Sequence, residues 1–327
     1  MIAEGDRSPT VTVAIPVLNE EMCIDRCLDA VDRQTYSGIV EVLVVDGGST
    51  DATVRLARRH PRVRVIANPR RIQACALNLA LAESTGALFV RVDGHCEIAD
   101  DYVSQCVATL ERTGASMVGG RMVPVAVGGL LQRGIAAAMS SRLGAGPARF
   151  HAGGAAGPVD TVYLGAFWTA LARNVGGYAE DQPVNEDAEL AQRMKAKGPV
   201  WFEPGIQSTY VPRSDLLSLG RQFWRYGQGR AATVRKHPAS LAPRQLIAPL
   251  LILGLLSGWR RRVLVTYLGF VAAAAAGKAR SDPKLGLGFA AALPTMHLLW
   301  GTGFLVGLTP LGADSHRSTA PAGSEDR

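Results

Sequence analysis

Acidic side chains recur where apolar runs stop. Asp46 closes the run Val42, Leu43, Val44, Val45; Asp93 closes Leu88, Phe89, Val90, Arg91, Val92; Glu186 and Asp187 open a helix-like segment. Open α/β sheets bind ligands beyond the carboxyl ends of their strands, so these carboxylates gather where a ligand is expected. In Asp93-Gly94-His95 a carboxylate and an imidazole two residues apart can share one divalent cation whose other ligands are diphosphate oxygens. The imidazole widens the metal choice beyond Mg2+. Asp46-Gly47-Gly48-Ser49-Thr50-Asp51 pairs a strand-end carboxylate with glycines that let a ligand approach the backbone, and reads equally as a turn with a helix cap. Residues 13–20 run from a strand into a helix start, with backbone N–H groups available to an anion or a base edge; Asn19 is equally a helix cap. Glu186-Asp187 also suits a first helical turn, where the helix dipole favours acidic groups.

The elements that must carry these groups follow one pattern in the first half. β-Branched runs at 10–15, 40–45, 63–67 and 87–92 each lead into an amphipathic helical segment, at 20–33, 51–59, 71–83 and 100–112. That alternation predicts an α/β fold, a mostly parallel sheet with helices on both faces. A strand is expected at 116–124, a helix at 130–143, and a Gly/Ala-rich stretch at 144–158 that is either a mobile loop or a slack connection. Short strands are expected at 161–164, 200–202 and 208–211, with a helix from Glu186 to Gly198 between them.

The chain has 327 residues, 47% of them hydrophobic, and a formal net charge of +7, which suits nucleic acid, anionic lipid or a phosphate-bearing ligand alike. Five cysteines, Cys23, Cys27, Cys75, Cys96 and Cys106, lack a C-x-x-C spacing and read as reduced, cytosol-facing thiols. Glu4, Asp6 and Arg7 at the start argue against a signal peptide. Apolar residues crowd into 246–311. From Asp215 to Lys236, Leu216, Leu219, Phe223 and Tyr226 recur at helical spacing beside five basic residues, a basic amphipathic helix able to lie in a lipid interface or to pack on its own domain. Residues 285–311 are long enough to cross a bilayer, while 246–259 and 263–277 are short for it. If all three crossed, Lys278, Arg280 and Lys284 would lie inside and Arg260-Arg261-Arg262 outside, against the positive-inside rule, which favours a re-entrant hairpin. The expected division is a catalytic domain at 1–212, an interfacial helix region at 213–240, membrane segments at 241–312 and a disordered tail at 313–327.

Together the motifs resemble the family 2 glycosyltransferases, which have the GT-A nucleotide-diphospho-sugar fold. The resemblance covers about residues 10–236. It rests on Ile15-Pro16-Val17-Leu18-Asn19-Glu20, Val45-Asp46-Gly47-Gly48-Ser49-Thr50-Asp51, Asp93-Gly94-His95, and Asn185-Glu186-Asp187 with Glu189, Leu190 and Arg193, in the family's order and near its spacing. It implies that Pro16, Asn19, Glu20 and Asp46 surround the nucleoside, that Arg70, Arg71 and Asn78 lie where similar enzymes contact the donor, and that Asp93 with His95 takes the place of the Asp-x-Asp metal motif, holding Mg2+ or Mn2+. The departure to His95 leaves the ion's identity open. Asp187 then matches the family's general base, with Glu186 beside it. Gln222-Phe223-Trp224-Arg225-Tyr226 is similar to the Gln-x-x-Arg-Trp element of membrane-bound members, with Tyr226 where Trp is usual; there Arg225 meets diphosphate. Tyr163-Leu164-Gly165-Ala166-Phe167 falls where a small-residue stretch borders the acceptor.

Within the family the arrangement resembles membrane-bound exopolysaccharide transferases of the succinoglycan kind. The expected activity is inverting transfer of a single sugar from a nucleotide-diphospho-sugar to a lipid-linked acceptor at the plasma (inner) membrane, with the catalytic domain cytosolic and no nucleic-acid partner. The competing readings are a processive polysaccharide synthase, transfer directly onto polyprenyl phosphate, a nucleotidyltransferase, and a non-catalytic nucleotide-sugar-binding scaffold.

Overall fold

The computed structural model describes residues 8–182, 184–280 and 282–309, so the tail expected at 313–327 lies outside the described residues. In chain order the elements are β1 (Val11–Val17), α1 (Ile24–Asp32), β2 (Ile39–Asp46), α2 (Thr53–Ala57), β3 (Val63–Ala67), α3 (Gln73–Glu83), β4 (Leu88–Arg91), β5 (Glu97–Ile98), α4 (Tyr102–Thr113), β6 (Met117–Pro124), α5 (Leu130–Met139), α6 (Arg149–Ala152), β7 (Gly157–Pro158), β8 (Tyr163–Trp168), α7 (Thr169–Asn174), α8 (Glu186–Met194), β9 (Val200–Tyr210), α9 (Leu216–Lys236), α10 (Ile247–Leu256), α11 (Arg260–Ala279) and α12 (Pro283–Gly307). Among the described residues two compact units interleave along the chain: 8–122, 154–180 and 186–209 form the first, and 123–153, 181–182, 184–185, 210–280 and 282–309 the second.

Strand order in the sheet is β3-β2-β1-β4-β8-β6-β9-β5, with β7 paired to β9. The β3-β2-β1-β4 half is parallel, as the β–α alternation predicts, and its register sets Val17 opposite Asp46 and Ala14 opposite Arg91. The other half departs from a parallel sheet: β8 is antiparallel to both β4 and β6, and β5 and β7 are antiparallel to β9. Antiparallel neighbours need no crossover helix, so no β–α rhythm announces them in the sequence. The two short strands expected at 200–202 and 208–211 are one continuous strand, β9.

Side chains alternate across the sheet with period two. Val11, Val13, Ile15 and Val17 face one core with Ile24 and Leu28 of α1 and Val103 and Leu110 of α4. Ala14, Leu43, Val45 and Phe89 face the other with Leu77 and Leu81 of α3 and Leu190 and Met194 of α8. Phe89 and Arg91, two apart on β4, share a face, which directs the arginine toward the α8 side. Buried on both faces, β1, β4 and the later part of β2 hold their carboxyl ends, and the loops beyond them, in fixed positions.

In the second unit α12 is the central helix. Glycines let its neighbours approach to backbone contact. A Cβ at Gly303 would collide with the backbone of Trp224 on α9, and one at Gly227 with that of Trp300; Gly307 meets Gln228 and Ala231, and Gly134 of α5 meets Gly288. Small residues that bring helix backbones together are the usual seam of apolar helix pairs. The N-terminus of α9 is capped by Asp215, whose Oδ1 accepts from the Ser218 N–H at 2.8 Å. Gly303→Leu should lower stability by about 1–3 kcal/mol, because the added side chain has no room in the seam. Gly269→Leu on α11, where nothing lies within 4 Å of an added Cβ, should change it little. Thermal melts of the two variants in one detergent give the comparison.

Two helices, α11 with 20 residues and α12 with 25, are long and apolar enough to cross a membrane by length and composition. The segment judged short at 263–277 is therefore longer in the fold, because Arg260, Arg261 and Arg262 begin the helix instead of preceding it. Residues 243–256 form a shorter apolar helix.

Candidate functional site

Three loops meet beyond the carboxyl ends of β1, β2 and β4. The first two are stitched together by side chains that the sequence offers as caps. The Asn19 Oδ1 accepts from the Thr50 N–H at 2.9 Å, the Ser49 Oγ accepts from the Asn19 N–H at 2.9 Å, and the Thr53 Oγ1 accepts from the Glu20 N–H at 2.7 Å. Asp46 caps its own turn, accepting from the Gly48 N–H at 3.1 Å and the Ser49 N–H at 3.0 Å. Arg71 lies over that turn: its Nη2 is 3.1 Å from where a Gly48 Cβ would be. The Asp46 loop and the exposed Arg71 are therefore brought together, as expected of groups that share one anionic ligand.

The third loop packs tightly on the first. A Cβ at Gly94 would meet the Val17 Cγ1 at 2.8 Å and the Glu20 Cγ at 3.2 Å, so only glycine lets residues 93–95 lie against residues 16–20. Across this contact the His95 Nδ1 is 3.1 Å from Glu20 Oε1. A carboxylate only accepts, so the proton of this hydrogen bond is on Nδ1. Glu20, expected near the nucleoside, thus orients the imidazole.

Ligand atoms of Asp93, His95 and Cys96 lie within 4.8 Å of one another. A carboxylate oxygen and an imidazole nitrogen at this separation fit a divalent cation that completes its shell with phosphate oxygens, and a mixed O/N pair suits Mn2+ at least as well as Mg2+. Cys96 is the third group within that distance; its sulfur is 2.9 Å from the Tyr163 hydroxyl, and burial, with Asp93 nearby, pushes its thiol up.

The residue that the motif reading missed is Arg91. Its side chain is 6% exposed; Nε donates to Asp93 Oδ1 at 2.8 Å and Nη1 to Glu186 Oε1 at 3.0 Å. One guanidinium therefore ties the loop after β4 to the start of α8, joining Asp93 to the Glu186-Asp187 pair. A charged residue inside the apolar run 88–92 was the available signal, since an arginine is seldom fully buried without a partner. Gln73 adds a longer contact, its Nε2 being 3.4 Å from Asp93 Oδ1.

Glu186 is buried and Asp187 half-buried. Burial pushes the Glu186 carboxyl up to about 7, against the pull of Arg91 and with a further push from Asp187. Burial likewise raises Asp187, and Arg91 again opposes it. The Asp187 Oδ1 accepts from the Ala188 N–H at 2.7 Å. Arg193 forms an ion pair with Glu189 on its own helix and donates to the Val175 carbonyl, so it anchors α8. Asn78 is also committed to the frame: its amide donates to the Tyr178 carbonyl at 2.9 Å and to Glu180 Oε1 at 3.0 Å, and accepts from the Tyr178 N–H at 2.8 Å. Arg70 pairs with the same Glu180. Arg225 is on α9, in the second unit.

Backbone strain concentrates in these segments. Asn19, Arg71, Leu164 and Asn185 have φ of 55°, 57°, 61° and 62°. Asn tolerates this region, but Arg and Leu each pay roughly 1–3 kcal/mol, a cost that recurs at ligand sites. Leu164 marks an irregularity where β8 pairs with β6, inside the segment expected beside the acceptor.

The model of the family described as Glycosyl transferase family 2 matches residues 12–144. The chain is 33% identical over 316 residues to the succinoglycan biosynthesis protein ExoA of Rhizobium meliloti, covering 91% of this chain and 94% of that protein. It is 24% identical over 243 residues to a dolichyl N-acetyl-alpha-D-glucosaminyl phosphate glucuronosyltransferase of Methanococcus voltae, covering 69% and 74% of the two chains. Among solved structures, the mannosyltransferase PcManGT of Pyrobaculum calidifontis, in complex with GDP-Man and Mn2+, superimposes with a TM-score of 0.59 at 22% identity, covering 92% of this chain and 88% of that one. The α/β sheet with flanking helices is thus the GT-A fold. Similarity to one relative along nearly the whole chain, the family match across the first three loops and the shared fold converge: the chain is a family 2 glycosyltransferase.

Proposed function

We propose that this enzyme is a membrane-attached, divalent-metal-dependent, inverting transferase that moves a single sugar from a nucleotide-diphospho-sugar to a lipid-linked acceptor at the cytosolic face, in exopolysaccharide or glycolipid assembly. The observation that carries the reading is the Arg91 bridge, which holds the cation carboxylate Asp93 and the acid pair Glu186-Asp187 in one cluster. In this reading Pro16, Asn19 and Asp46 border the nucleoside, Arg71 faces the diphosphate, and Asp93 with His95 holds the cation. Glu20 acts through His95, and Asn78 through the segment it clamps. The motif resemblance gives Arg225 a role toward the diphosphate as well. A divalent cation bound there supplies the positive charge that offsets the nucleoside diphosphate as it leaves. Asp187 takes the proton of the acceptor hydroxyl as that oxygen attacks the anomeric carbon from the face opposite the leaving group.

The relatives support the substrate classes. One is named for succinoglycan biosynthesis, one for a dolichyl-linked sugar phosphate, and the solved mannosyltransferase holds GDP-Man with Mn2+. Lipid attachment is supported by the exposed apolar faces of α10 and α11.

Washed membranes containing the protein, incubated with a panel of radiolabelled nucleotide sugars, should transfer one label into the lipid fraction and release a nucleoside diphosphate. Label in long polymer, or release of pyrophosphate, rejects the proposal. Asp93→Ala should weaken nucleotide binding in the presence of Mn2+ by at least tenfold and leave the metal-free affinity unchanged. Titration calorimetry with and without Mn2+ separates the two, and equal affinities with the ion present remove Asp93 from the cation site.

A further inference from the structure

We infer that the second unit is seated in one leaflet of the bilayer, with α12 lying along the membrane plane and α10 and α11 forming the lipid-facing layer, so that neither long apolar helix crosses. The inference rests on the membrane attachment proposed above and concerns its geometry.

By length alone α12 qualifies as a span, but its neighbours deny it that position. Contacts at Gly220 with Thr295 and Leu299, at Gly303 with Trp224, and at Gly307 with Gln228 and Ala231 advance together along both helices. Helix α9 therefore runs alongside the C-terminal half of α12. The groove between them is lined by Arg221, Arg225, Trp224, Thr295 and Leu299. Thr295 is at the middle of α12, and both arginines are exposed. Were α12 to cross, it would set these two guanidinium groups near the bilayer midplane, where arginine is among the most costly of residues. With α12 in the membrane plane, α9 forms a roof on the aqueous side, and its arginines reach the headgroups.

The opposite side of α12 has the complementary character. Ile247, Leu250 and Leu256 of α10 and Val265 and Leu268 of α11 are at least half exposed. Helix α11 runs antiparallel to α12, with Ala275 and Ala279 against Gly286 and the Tyr267 hydroxyl 3.0 Å from His297 Nδ1. Its two ends are basic: Trp259 with Arg260, Arg261 and Arg262 at one, Lys278 and Arg280 at the other, with Arg262 stacked on the Trp259 ring at 4.9 Å. A crossing helix would put these clusters on opposite sides and violate the positive-inside rule at one of them. An in-plane helix returns both ends to the same anionic headgroups, where tryptophan and arginine are favoured. The shorter apolar helix at 243–256 falls short of a bilayer's thickness in any case.

The test is the sidedness of the two ends of α11. Among the described cysteines Cys23 alone is not buried, so Cys23→Ser gives a background for single reporters. Three are needed in the full chain: Met22→Cys, on the exposed side chain of the catalytic unit, Arg261→Cys and Arg280→Cys. A membrane-impermeant maleimide is applied to sealed inside-out and right-side-out vesicles. All three positions are expected to react from the same side. Reaction of Arg261→Cys or Arg280→Cys from the side opposite Met22→Cys overturns the in-plane seating and leaves the transferase reading intact. Recovery of active protein in the soluble fraction instead removes membrane attachment, and the seating with it.

Discussion

Asp187→Asn is expected to bind nucleotide as tightly as the parent enzyme and to turn over roughly 10²- to 10⁴-fold more slowly, the range associated with loss of a positioned general base. The separation of binding from turnover is the informative part. An amide oxygen can still accept the Ala188 N–H bond that Asp187 Oδ1 accepts at 2.7 Å, so the start of α8 keeps its geometry. What disappears is a basic oxygen able to hold the acceptor's proton at the moment the new glycosidic bond forms. Glu186 is the less suitable base because it is buried and its Oε1 is occupied by Arg91 at 3.0 Å, whereas Asp187 is half-buried. Glu186→Gln should therefore cost less in kcat than Asp187→Asn. Single-turnover rates together with nucleotide affinities decide the matter; an Asp187→Asn variant with parent kcat, or a larger loss in Glu186→Gln, would reassign the base.

How much of this site was readable before the fold was known depends on the range of the interaction concerned. The positions of Asp46 and Asp93 at strand ends followed from short apolar runs closed by a carboxylate, because strand periodicity is a local property. The contact between Asp93-Gly94-His95 and residues 16–20 was legible only as a glycine, and its partner across the gap, Glu20, was expected at the nucleoside instead of on His95. Asn78 was placed among the donor contacts by its resemblance to a motif position, and its hydrogen bonds go to Tyr178 and Glu180. The antiparallel strands β8 and β9 pair with partners dozens of residues away, and no local pattern encodes that choice. The basic helix α9 shows the same limit. Its amphipathic pattern fitted a lipid interface and a packed helix equally, and the glycines at 227 and 303, which seat it on α12, have meaning only as a pair.

Arg91→Met tests the bridge itself, and its largest effect should fall on stability. The buried guanidinium stands between Asp93 and Glu186; without it two buried carboxylates lose their shared cation, and breaking such a group costs about 3–5 kcal/mol. The loss should depend on pH in a definite sense. Because the folded state raises Glu186 from its ordinary 4.5 to about 7, this group favours the folded state fully below pH 4.5 and loses that contribution as pH rises through 7. Arg91 lowers both Glu186 and Asp187, so its removal raises them further. The parent and variant should therefore be nearest in stability at acid pH, where Glu186 is protonated in both, and furthest apart above neutrality. The same shift should appear in catalysis. The acid limb of kcat/KM, raised in the parent by burial of Asp187, should move to higher pH in Arg91→Met. Arg91→Lys separates charge from bridging: an ammonium restores the positive charge and with it the position of the acid limb, but it lacks the planar fork that reaches both carboxylates at once. Denaturant titrations of the three proteins from about pH 5 to about pH 8, set beside their pH–rate profiles, measure both effects. A parent–variant stability gap that stays constant across that range would mean that Arg91 fills space between α8 and the sheet without setting the ionisation of the pair.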